Sequence, residues 1–269
     1  MKITLVPTAG LCNRINAILC AIVSYEQYKI PTEIYWEKTK DCYAEFKDLF
    51  EPLNHPDIKV LPLKKFYLKP GGKRQLFIPN LLRKFRFDIS YNGNKPSVSE
   101  KELNILLKNK ENIYITSYNR YCVIPPITFS VENYFTPVKS IKDQITELVE
   151  KYYTTHTIGV HIRQTDNLAA IKNNPIEKFI NLMDKEIKLN PETNFYLATD
   201  SEKIKQKLMK KYKEKIIPTH YSLNRNTEQG MKDAVTDLFC LGKTKKILGC
   251  NESTYSRIAA ELRQIELIV

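Results

Sequence analysis

Short apolar segments with strand character alternate with longer segments of helical periodicity along most of this chain. Near the N-terminus, the apolar run Lys2–Val6 is followed by a polar loop, by a helical pattern from about Ile15 to Tyr28, and by the strand-like Thr32–Trp36. The second half repeats the alternation. Helices are predicted there over 141–153, 175–188, 202–212, 231–240 and from 253 onward, and strands over 157–162, 194–199, 216–218 and 246–249. This alternation predicts an α/β fold built on parallel sheets.

Turn-forming residues separate the two halves of the chain. They lie between Phe129 and Ser140, and a predicted helix (100–110) and strand (112–117) precede them. The 269 residues suffice for two domains of ordinary size. We therefore expect two Rossmann-like domains, residues 1–135 and 136–269.

The composition, with 42% hydrophobic and 27% charged residues, is typical of a globular protein and excludes a wholly disordered chain. No apolar run reaches the ~18–20 residues of a membrane span. Asn13, Arg14 and Asn16 interrupt the apolar N-terminal region, which argues against a signal peptide. The six cysteines are scattered without a CxxC pair, so they are expected to be buried free thiols. These features favour a cytoplasmic protein.

The formal net charge is +12, which suits nucleic acid, an anionic membrane surface or a phosphorylated substrate. The stretch Lys64–Pro96 interleaves basic and aromatic residues and is expected to be irregular and exposed. Its basic residues are Lys64, Lys65, Lys69, Lys73, Arg74, Arg83, Lys84 and Arg86. One hypothesis is that this stretch associates peripherally with the inner membrane face; the alternative is a solvated loop. No RNA- or DNA-binding signature accompanies the charge, so nucleic acid is not expected as a partner.

Polar residues follow several of the predicted strands, at the sheet edge where parallel α/β folds bind ligands. After strand 157–162 come Arg163 and Asp166, preceded by His161, and we assign Arg163 and Asp166 to catalysis. The other candidates, all for substrate binding, are Gly10, Asn13, Arg14, His161, Asp200, Ser201, Asp237, Ser253, Thr254 and Tyr255.

The chemistry suggested by these residues is the binding of a diphosphate. An arginine guanidinium forms paired hydrogen bonds with phosphate oxygens, and the helix that starts near Ser253 directs N–H groups and a positive dipole end towards an anion. The chain has no Walker motif, no GxGxxG after a strand and no metal-ligand pattern, so we expect neither a metal nor another cofactor. Simpler interpretations compete: a surface ion pair for Arg163, helix N-caps for Asp200–Ser201 and for the Ser/Thr run at 253–256, and a solvated helix face for Asp237.

Three segments in the second half resemble the α1,6-fucosyltransferases and nodulation fucosyltransferases, relatives of the protein O-fucosyltransferases. They are HIRQTD followed by NPIEKFI, then FYLATDS, then DAVTDLFCLGKTKKILGCNESTYSRIA; the first loop, AGLCNRINA, is also similar. The resemblance implies a GT-B fold, in which two Rossmann-like domains face a cleft. It also implies a GDP-fucose donor that binds mainly to the second domain without a metal, while the first domain lies on the acceptor side.

The same resemblance implies roles for single residues. Arg163 falls on the phosphate-binding arginine, Asp237 on the carboxylate that recognises guanine, and Ser253–Tyr255 on a serine-rich loop. His161 would contact the base through its main chain. Asn13 and Arg14 would complete the donor site.

Two positions depart from the family pattern. Gln164 stands where many α1,6 enzymes have a second arginine, and Ser201 follows the Thr-Asp pair where some relatives have Asp. The acceptor and the linkage therefore stay open.

The sequence thus predicts an inverting, metal-independent fucosyltransferase that uses GDP-fucose and acts on an oligosaccharide or lipid-linked glycan. The alternatives are a GT-B glycosyltransferase for another GDP-sugar and a non-catalytic nucleotide-sugar-binding protein. The sequence does not identify the general base.

Overall fold

The computed structural model describes residues 1–70, 76–93, 99–122, 130–164, 173–219, 226–250 and 253–269, without the side chains of Glu100 and Leu106. The chain forms two compact units, each with its own parallel sheet. The first comprises Met1–Thr128 and Tyr134–Thr136, and the second comprises Phe129–Asn133 and Pro137–Val269. The α/β architecture predicted from the alternating pattern is confirmed.

The first unit is built on a five-stranded parallel sheet with strand order β3-β2-β1-β5-β4. Its elements are β1 (Lys2–Pro7), α1 (Leu11–Tyr28), β2 (Thr32–Trp36), β3 (Ile58–Pro62), α2 (Ile78–Lys84), β4 (Ile89–Asn92), α3 (Glu100–Leu107) and β5 (Asn112–Ser117). The central strand β1 pairs with β2 on one side and with β5 on the other, so Ile3 aligns with both Thr32 and Ile113. Strands inside a parallel sheet are buried on both faces and are therefore mostly apolar, as β1 and β5 are.

The second unit is built on a four-stranded parallel sheet with strand order β7-β6-β8-β9. Its elements are α4 (Lys139–Tyr152), β6 (Ile158–Ile162), α5 (Ile176–Leu189), β7 (Phe195–Thr199), α6 (Glu202–Tyr212), α7 (Glu228–Gly242), β8 (Lys246–Leu248), α8 (Thr254–Arg263) and β9 (Glu266–Ile268). Strand β6 is internal because it pairs with β7 on one side and with β8 on the other, and all five of its residues are buried.

The core of the second unit lies on both faces of β6. Ile158, Val160 and Ile162 point to one face, where Phe179 and Met183 of α5 belong to the same buried cluster. On the other face α7 approaches closely at Gly159. A Cβ there would lie 2.9 Å from Leu241 Cδ2 and 2.9 Å from Thr244 Oγ1, so a larger residue would push the helix away from the sheet.

The stretch from Lys64 to Pro96 is more regular than expected. A 3₁₀ turn (Phe66–Leu68), helix α2 and strand β4 lie within it, while 71–75 and 94–96 fall outside the described residues. Arg83 is also not a surface residue, because only 4% of it is exposed. The expectation of an irregular, exposed loop is therefore wrong for much of this stretch.

Three further differences concern strands. The expected strand 216–218 is only an isolated bridge between Ile216 and Phe195, whereas β3 and β9 have no counterpart in the prediction.

All six cysteines are buried and free, as expected. A search of the described ranges finds no helix that is both long and apolar enough to cross a membrane.

Candidate functional site

The second sheet has one topological switch point, between β6 and β8. The chain runs from β6 to β7 on one side and then crosses to β8 on the other. In open parallel sheets the helices on the two sides diverge at such a point, and the crevice outside the carboxyl ends of the strands is where ligands bind. Arg163 follows β6 at this edge and Cys250 follows β8, so their surroundings define the candidate site.

Cys250 fastens the end of β6 to the start of α8. Its thiol accepts a hydrogen bond from the Arg163 N–H at 3.3 Å and donates one to the His161 carbonyl at 3.5 Å. Its own N–H donates to Ser256 Oγ at 3.1 Å. Burial raises the pKa of the Cys250 thiol, which keeps its proton for donation. The backbone of Arg163 is thereby held in place. Cys250 and its partner Ser256 were not among the selected site residues, although both lie in the segment that carries the resemblance.

His161 is a buried, neutral side chain. Nδ1 lies 2.7 Å from Ser256 Oγ, and the ring stacks on Tyr255 with centroids 4.8 Å apart. Burial and, to a smaller extent, the positive charge of Arg163 lower the pKa of His161 to about 4. The neutral His161 ring therefore links β6 to α8 through Ser256 and Tyr255, and it does not become protonated near neutral pH.

The first turn of α8 lies beside this ring. Ser253 is the N-cap residue, but its side chain makes no capping hydrogen bond, so the simple N-cap interpretation is wrong for it. The Ser253 N–H donates to the Cys250 carbonyl at 3.3 Å, and the Tyr255 hydroxyl donates to the Ala234 carbonyl at 2.6 Å. Thr254 is half-buried. The helix is therefore fixed against both β8 and α7, and its N-terminal dipole end is held at the switch point.

Asp200 joins the same edge from β7. Its carboxylate accepts a hydrogen bond from the Gln164 N–H at 2.7 Å, and the Gln164 amide donates to the Asn174 carbonyl at 3.2 Å. The negative charge of Asp200 raises the pKa of His161, whereas the positive charge of Arg163 lowers it. Arg163 and Asp200 thus follow the neighbouring strands β6 and β7 at this edge of the sheet.

Two other predicted residues lie near β6 and β7. Ser201 is the N-cap residue of α6 but makes no side-chain cap, which contradicts the capping interpretation. Asp166 lies outside the described residues.

Asp237 has an unusual electrostatic environment on α7. It lies about one helical turn beyond Ala234, whose carbonyl anchors Tyr255. The Tyr196 hydroxyl donates to Oδ1. Burial raises the pKa of Asp237 to about 7, against the lowering effects of the Tyr196 hydrogen bond and of Lys205, whereas Asp233 raises it slightly. Asp237 is half-buried and bonded to Tyr196 of β7, so it does not lie on a fully solvated helix face.

The three predicted residues of the first unit lie at the carboxyl edge of β1. Gly10 is the N-cap residue of α1, with φ −74°, and a Cβ there would meet only Asp41 O at 3.7 Å, so the backbone does not require glycine. Asn13 is half-buried.

Arg14, by contrast, is only 1% exposed. Its guanidinium donates to Ala9 O at 2.8 Å, Glu37 O at 2.5 Å and Thr39 Oγ1 at 2.8 Å, and it lies 4.7 Å from the Trp36 ring centroid. Burial lowers its pKa. Arg14 therefore shapes the loops after β1 and β2 from within the unit.

The described residues contain no group of three or more His, Cys, Asp or Glu side chains that could hold a metal ion. The site of the second unit consists instead of one arginine, the N-terminus of a helix, hydroxyl groups and two separated carboxylates. Such an arrangement can bind an anionic group beside Arg163 and a hydrogen-bond donor beside Asp237.

Comparisons with solved structures place this fold in a known class. The NodZ α1,6-fucosyltransferase soaked with GDP-fucose superposes with a TM-score of 0.62 at 14% identity, covering 97% of this chain and 92% of NodZ; NodZ from Bradyrhizobium gives a similar match. A mutant of Arabidopsis thaliana FUT1 in complex with GDP gives a TM-score of 0.67 at 14% identity, over 99% of this chain and 70% of that one. POFUT1 in complex with GDP gives 0.61 at 14% identity, over 98% and 94%.

The chain therefore has the GT-B type of fold found in these fucosyltransferases, and the fold class expected from the resemblance is confirmed. No protein-family model matches the sequence. No curated protein matches it either.

Proposed function

We propose that this protein is a glycosyltransferase that transfers fucose from GDP-fucose to a glycan acceptor, with inversion at the anomeric carbon and without a metal ion. The observation that carries the proposal is the set of residues at the β6/β8 switch point. Arg163 and the N-terminus of α8 lie there, and Asp237 lies on α7, bonded to Tyr196 of β7. The fold is one that NodZ, soaked with GDP-fucose, shares over 97% of this chain.

The diphosphate is proposed to bind between Arg163 and the first turn of α8. The guanidinium has the planar geometry that matches two phosphate oxygens, and the helix supplies N–H groups that lack acceptors within the helix. Ser253, Thr254 and Tyr255 form that turn, and Tyr255 is already fixed by His161 and Ala234. These groups favour the negative charge that develops on the departing diphosphate.

The guanine base is proposed to bind at Asp237. One carboxylate oxygen accepts from Tyr196, which leaves acceptor capacity for the N1–H and N2–H₂ donors of guanine. Uracil and cytosine present no such pair of donors, so the carboxylate would select for guanine nucleotides. Asp200 and Ser201, at the end of β7, and the main chain of His161 are proposed to line the same donor site.

In the proposed reaction, an acceptor hydroxyl oxygen forms a bond to the anomeric carbon from the face opposite the diphosphate. The bond between that carbon and the phosphate oxygen breaks, and its electron pair leaves with GDP. The hydroxyl proton must pass to a base. His161 does not suit this step, because its pKa is about 4 and Nδ1 is bonded to Ser256. Asp166 keeps its proposed catalytic role with Arg163.

The first unit is proposed to be the acceptor side. Gly10 and Asn13 are proposed to contact substrate, while Arg14 would act by positioning their loop, since its guanidinium nitrogens bond to Ala9, Glu37 and Thr39. The proposed acceptor is an oligosaccharide or a lipid-linked glycan on the cytoplasmic side of a membrane. No nucleic-acid partner is proposed.

Donor-dependent turnover tests the function. We expect release of GDP from GDP-fucose in the presence of a glycan acceptor mixture, with much slower release from GDP-mannose. Faster use of GDP-mannose would identify a glycosyltransferase for another GDP-sugar. Tight binding of GDP without turnover of either donor, across a broad panel of acceptors, would instead identify a nucleotide-sugar-binding protein.

A further inference from the structure

Large apolar side chains are exposed together on one small area of the first unit. Leu76 and Phe85 are each 79% exposed, Leu81 is 55%, Phe77 is 50% and Ile78 is 43%. Phe66, in the 3₁₀ turn bonded to this helix, is 47% exposed. Concentrating so many apolar side chains in one place is unfavourable in water, and large patches of this kind mark interaction sites. We call these six residues, with the basic residues named below, the α2 surface.

Helix geometry places the apolar residues on one face of α2. At 100° per residue, Ile78, Leu81 and Phe85 fall within an arc of about 60°, and Phe77 precedes the helix as its N-cap residue. Pro79 and Arg83 lie on the opposite face and are buried. The α2 helix is therefore amphipathic with the usual arrangement reversed, since its buried face carries an arginine and its exposed face is apolar.

Arg83 holds this orientation. Its Nη1 donates to the carbonyls of Tyr67 at 3.0 Å and Lys69 at 2.7 Å, and the guanidinium lies 4.3 Å from the Tyr114 ring centroid on β5. The Tyr114 hydroxyl in turn donates to Leu68 O at 2.8 Å. The apolar face is thus presented outward by a buried network that ties α2 to the sheet.

The margin of this face is basic. Lys64, Lys65, Lys84 and Arg86 are exposed, and the Arg86 guanidinium lies 4.6 Å from the Tyr67 ring centroid. From Lys64 to Gly93 the sequence contains a single acidic residue, Asp88. Its carboxylate accepts hydrogen bonds from the N–H groups of Glu111 at 2.6 Å and Asn112 at 2.9 Å. The α2 surface therefore carries a clear excess of positive charge.

We propose that the α2 surface docks peripherally on a bilayer with anionic headgroups. A bilayer surface complements both parts of the patch at once, because apolar side chains can enter the boundary between headgroups and acyl chains while the cations stay at the phosphates. None of the residues involved takes part in the proposed donor site. The docking is therefore independent of the fucosyl transfer proposed above.

Vesicle sedimentation tests the docking with the full chain. The vesicles are phosphatidylcholine alone, and phosphatidylcholine with about a third phosphatidylglycerol, each at about 0.05 M and about 0.5 M NaCl. Binding is expected to anionic vesicles and to weaken at high salt. Leu81→Ser with Phe85→Ser should lower the partition coefficient about tenfold or more at both salt concentrations. Lys84→Ser with Arg86→Ser should lower it roughly tenfold at low salt only.

Matched variants elsewhere control for general changes in surface. Ile105→Ser with Leu189→Ser removes two side chains that are 65% and 69% exposed, and Lys203→Ser with Lys210→Ser removes two exposed charges from α6. These controls should bind vesicles as the unchanged protein does, and all variants should keep its melting temperature and its affinity for GDP.

Absence of binding, or binding that ignores lipid charge, salt and the α2 substitutions, would overturn the proposal. Self-association in light scattering that is lost in Leu81→Ser with Phe85→Ser, without any vesicle binding, would also overturn it and would make the patch a protein interface. Because GDP affinity is measured in parallel, failure of the docking is distinguishable from failure of the proposed function.

Discussion

Arg163 combines a fixed main chain with a position directly after β6, at the switch-point edge. The Cys250 thiol holds its N–H, and its positive charge acts on the neighbouring His161 ring. A guanidinium in such a position offers two parallel N–H donors to a phosphate, whereas an ammonium offers a point charge.

Replacing Arg163 by lysine is therefore expected to reduce transfer from GDP-fucose by at least ~10²-fold, as for the loss of one donor to a developing oxyanion. The melting temperature should not change. The matched control is Arg263→Lys, which alters a surface arginine whose Nε lies 3.3 Å from Glu132. Near-normal turnover of Arg163→Lys would remove Arg163 from the proposed phosphate site.

Asp237 should make nucleotide binding depend on pH. Its pKa is about 7 in the free protein, and guanine donors bind the ionised form. Binding should then release a proton, and the affinity for GDP should rise roughly tenfold between about pH 6 and pH 8. Calorimetry in buffers of different ionisation enthalpy measures both the affinity and the proton release.

Asp237→Asn should weaken GDP binding and abolish this pH dependence, because asparagine keeps one acceptor but turns a donor towards the donors of guanine. UDP should bind poorly to both proteins. Equal GDP affinity of Asp237→Asn and the unchanged protein would show that guanine binds elsewhere.

At the scale of secondary structure, the site depends on how β6, β8 and α8 are joined. Ser256 is the joint: it is fully buried, its Oγ accepts from the Cys250 N–H and it lies 2.7 Å from His161 Nδ1. Gly249 lets Ser256 approach, since a Cβ on Gly249 would lie 2.9 Å from Ser256 Oγ. The joint sets the angle at which the N-terminus of α8 meets the carboxyl end of β6.

Ser256→Ala is expected to lower the free energy of unfolding by about 1–3 kcal/mol, because it leaves a buried N–H and a buried ring nitrogen without their partner. Urea denaturation measures this change. Ser201→Ala on α6 serves as the control, since that side chain makes no cap, and it should change the stability by less than about 0.5 kcal/mol. Equal free energies of unfolding for the two variants would show that the hydrogen bonds of Ser256 contribute little to stability.

At the scale of the whole molecule, the proposed transfer requires that groups of the protein stabilise the negative charge of the leaving diphosphate. In the proposed reaction this stabilisation comes from the Arg163 guanidinium and the N-terminus of α8, without a metal ion.

Transfer from GDP-fucose is accordingly expected to continue unchanged in excess EDTA. The assay is run with and without chelator and then with added Mg²⁺ or Mn²⁺. Loss of activity in EDTA that either ion restores would contradict the proposed metal-independent mechanism.

Much of the fold could be predicted from the sequence, because buried strands and amphipathic helices leave periodic patterns. Strand β5 and helix α6 occupy the predicted residues, and the other central elements differ by a few residues at their ends. The strands that were missed or mispredicted, β3, β4 and β9, lie at the edges of the two sheets, where one neighbour is absent and the residues are partly exposed. These three strands carry no continuous buried run, so only their pairing reveals them, whereas the edge strand β7 is buried throughout and was predicted.

The candidate site shows the same division. The sequence alone predicted which polar residues follow β6, β7 and β8, because polar side chains at strand ends form a local pattern. The hydrogen bonds of Cys250 and Ser256 join residues up to 95 positions apart, and no local pattern encodes them. The burial of Arg14 and Arg83 could not be predicted from the sequence either, since a charged side chain is normally solvated. Only the packing around each arginine, which supplies carbonyl acceptors and an aromatic face, makes its burial favourable.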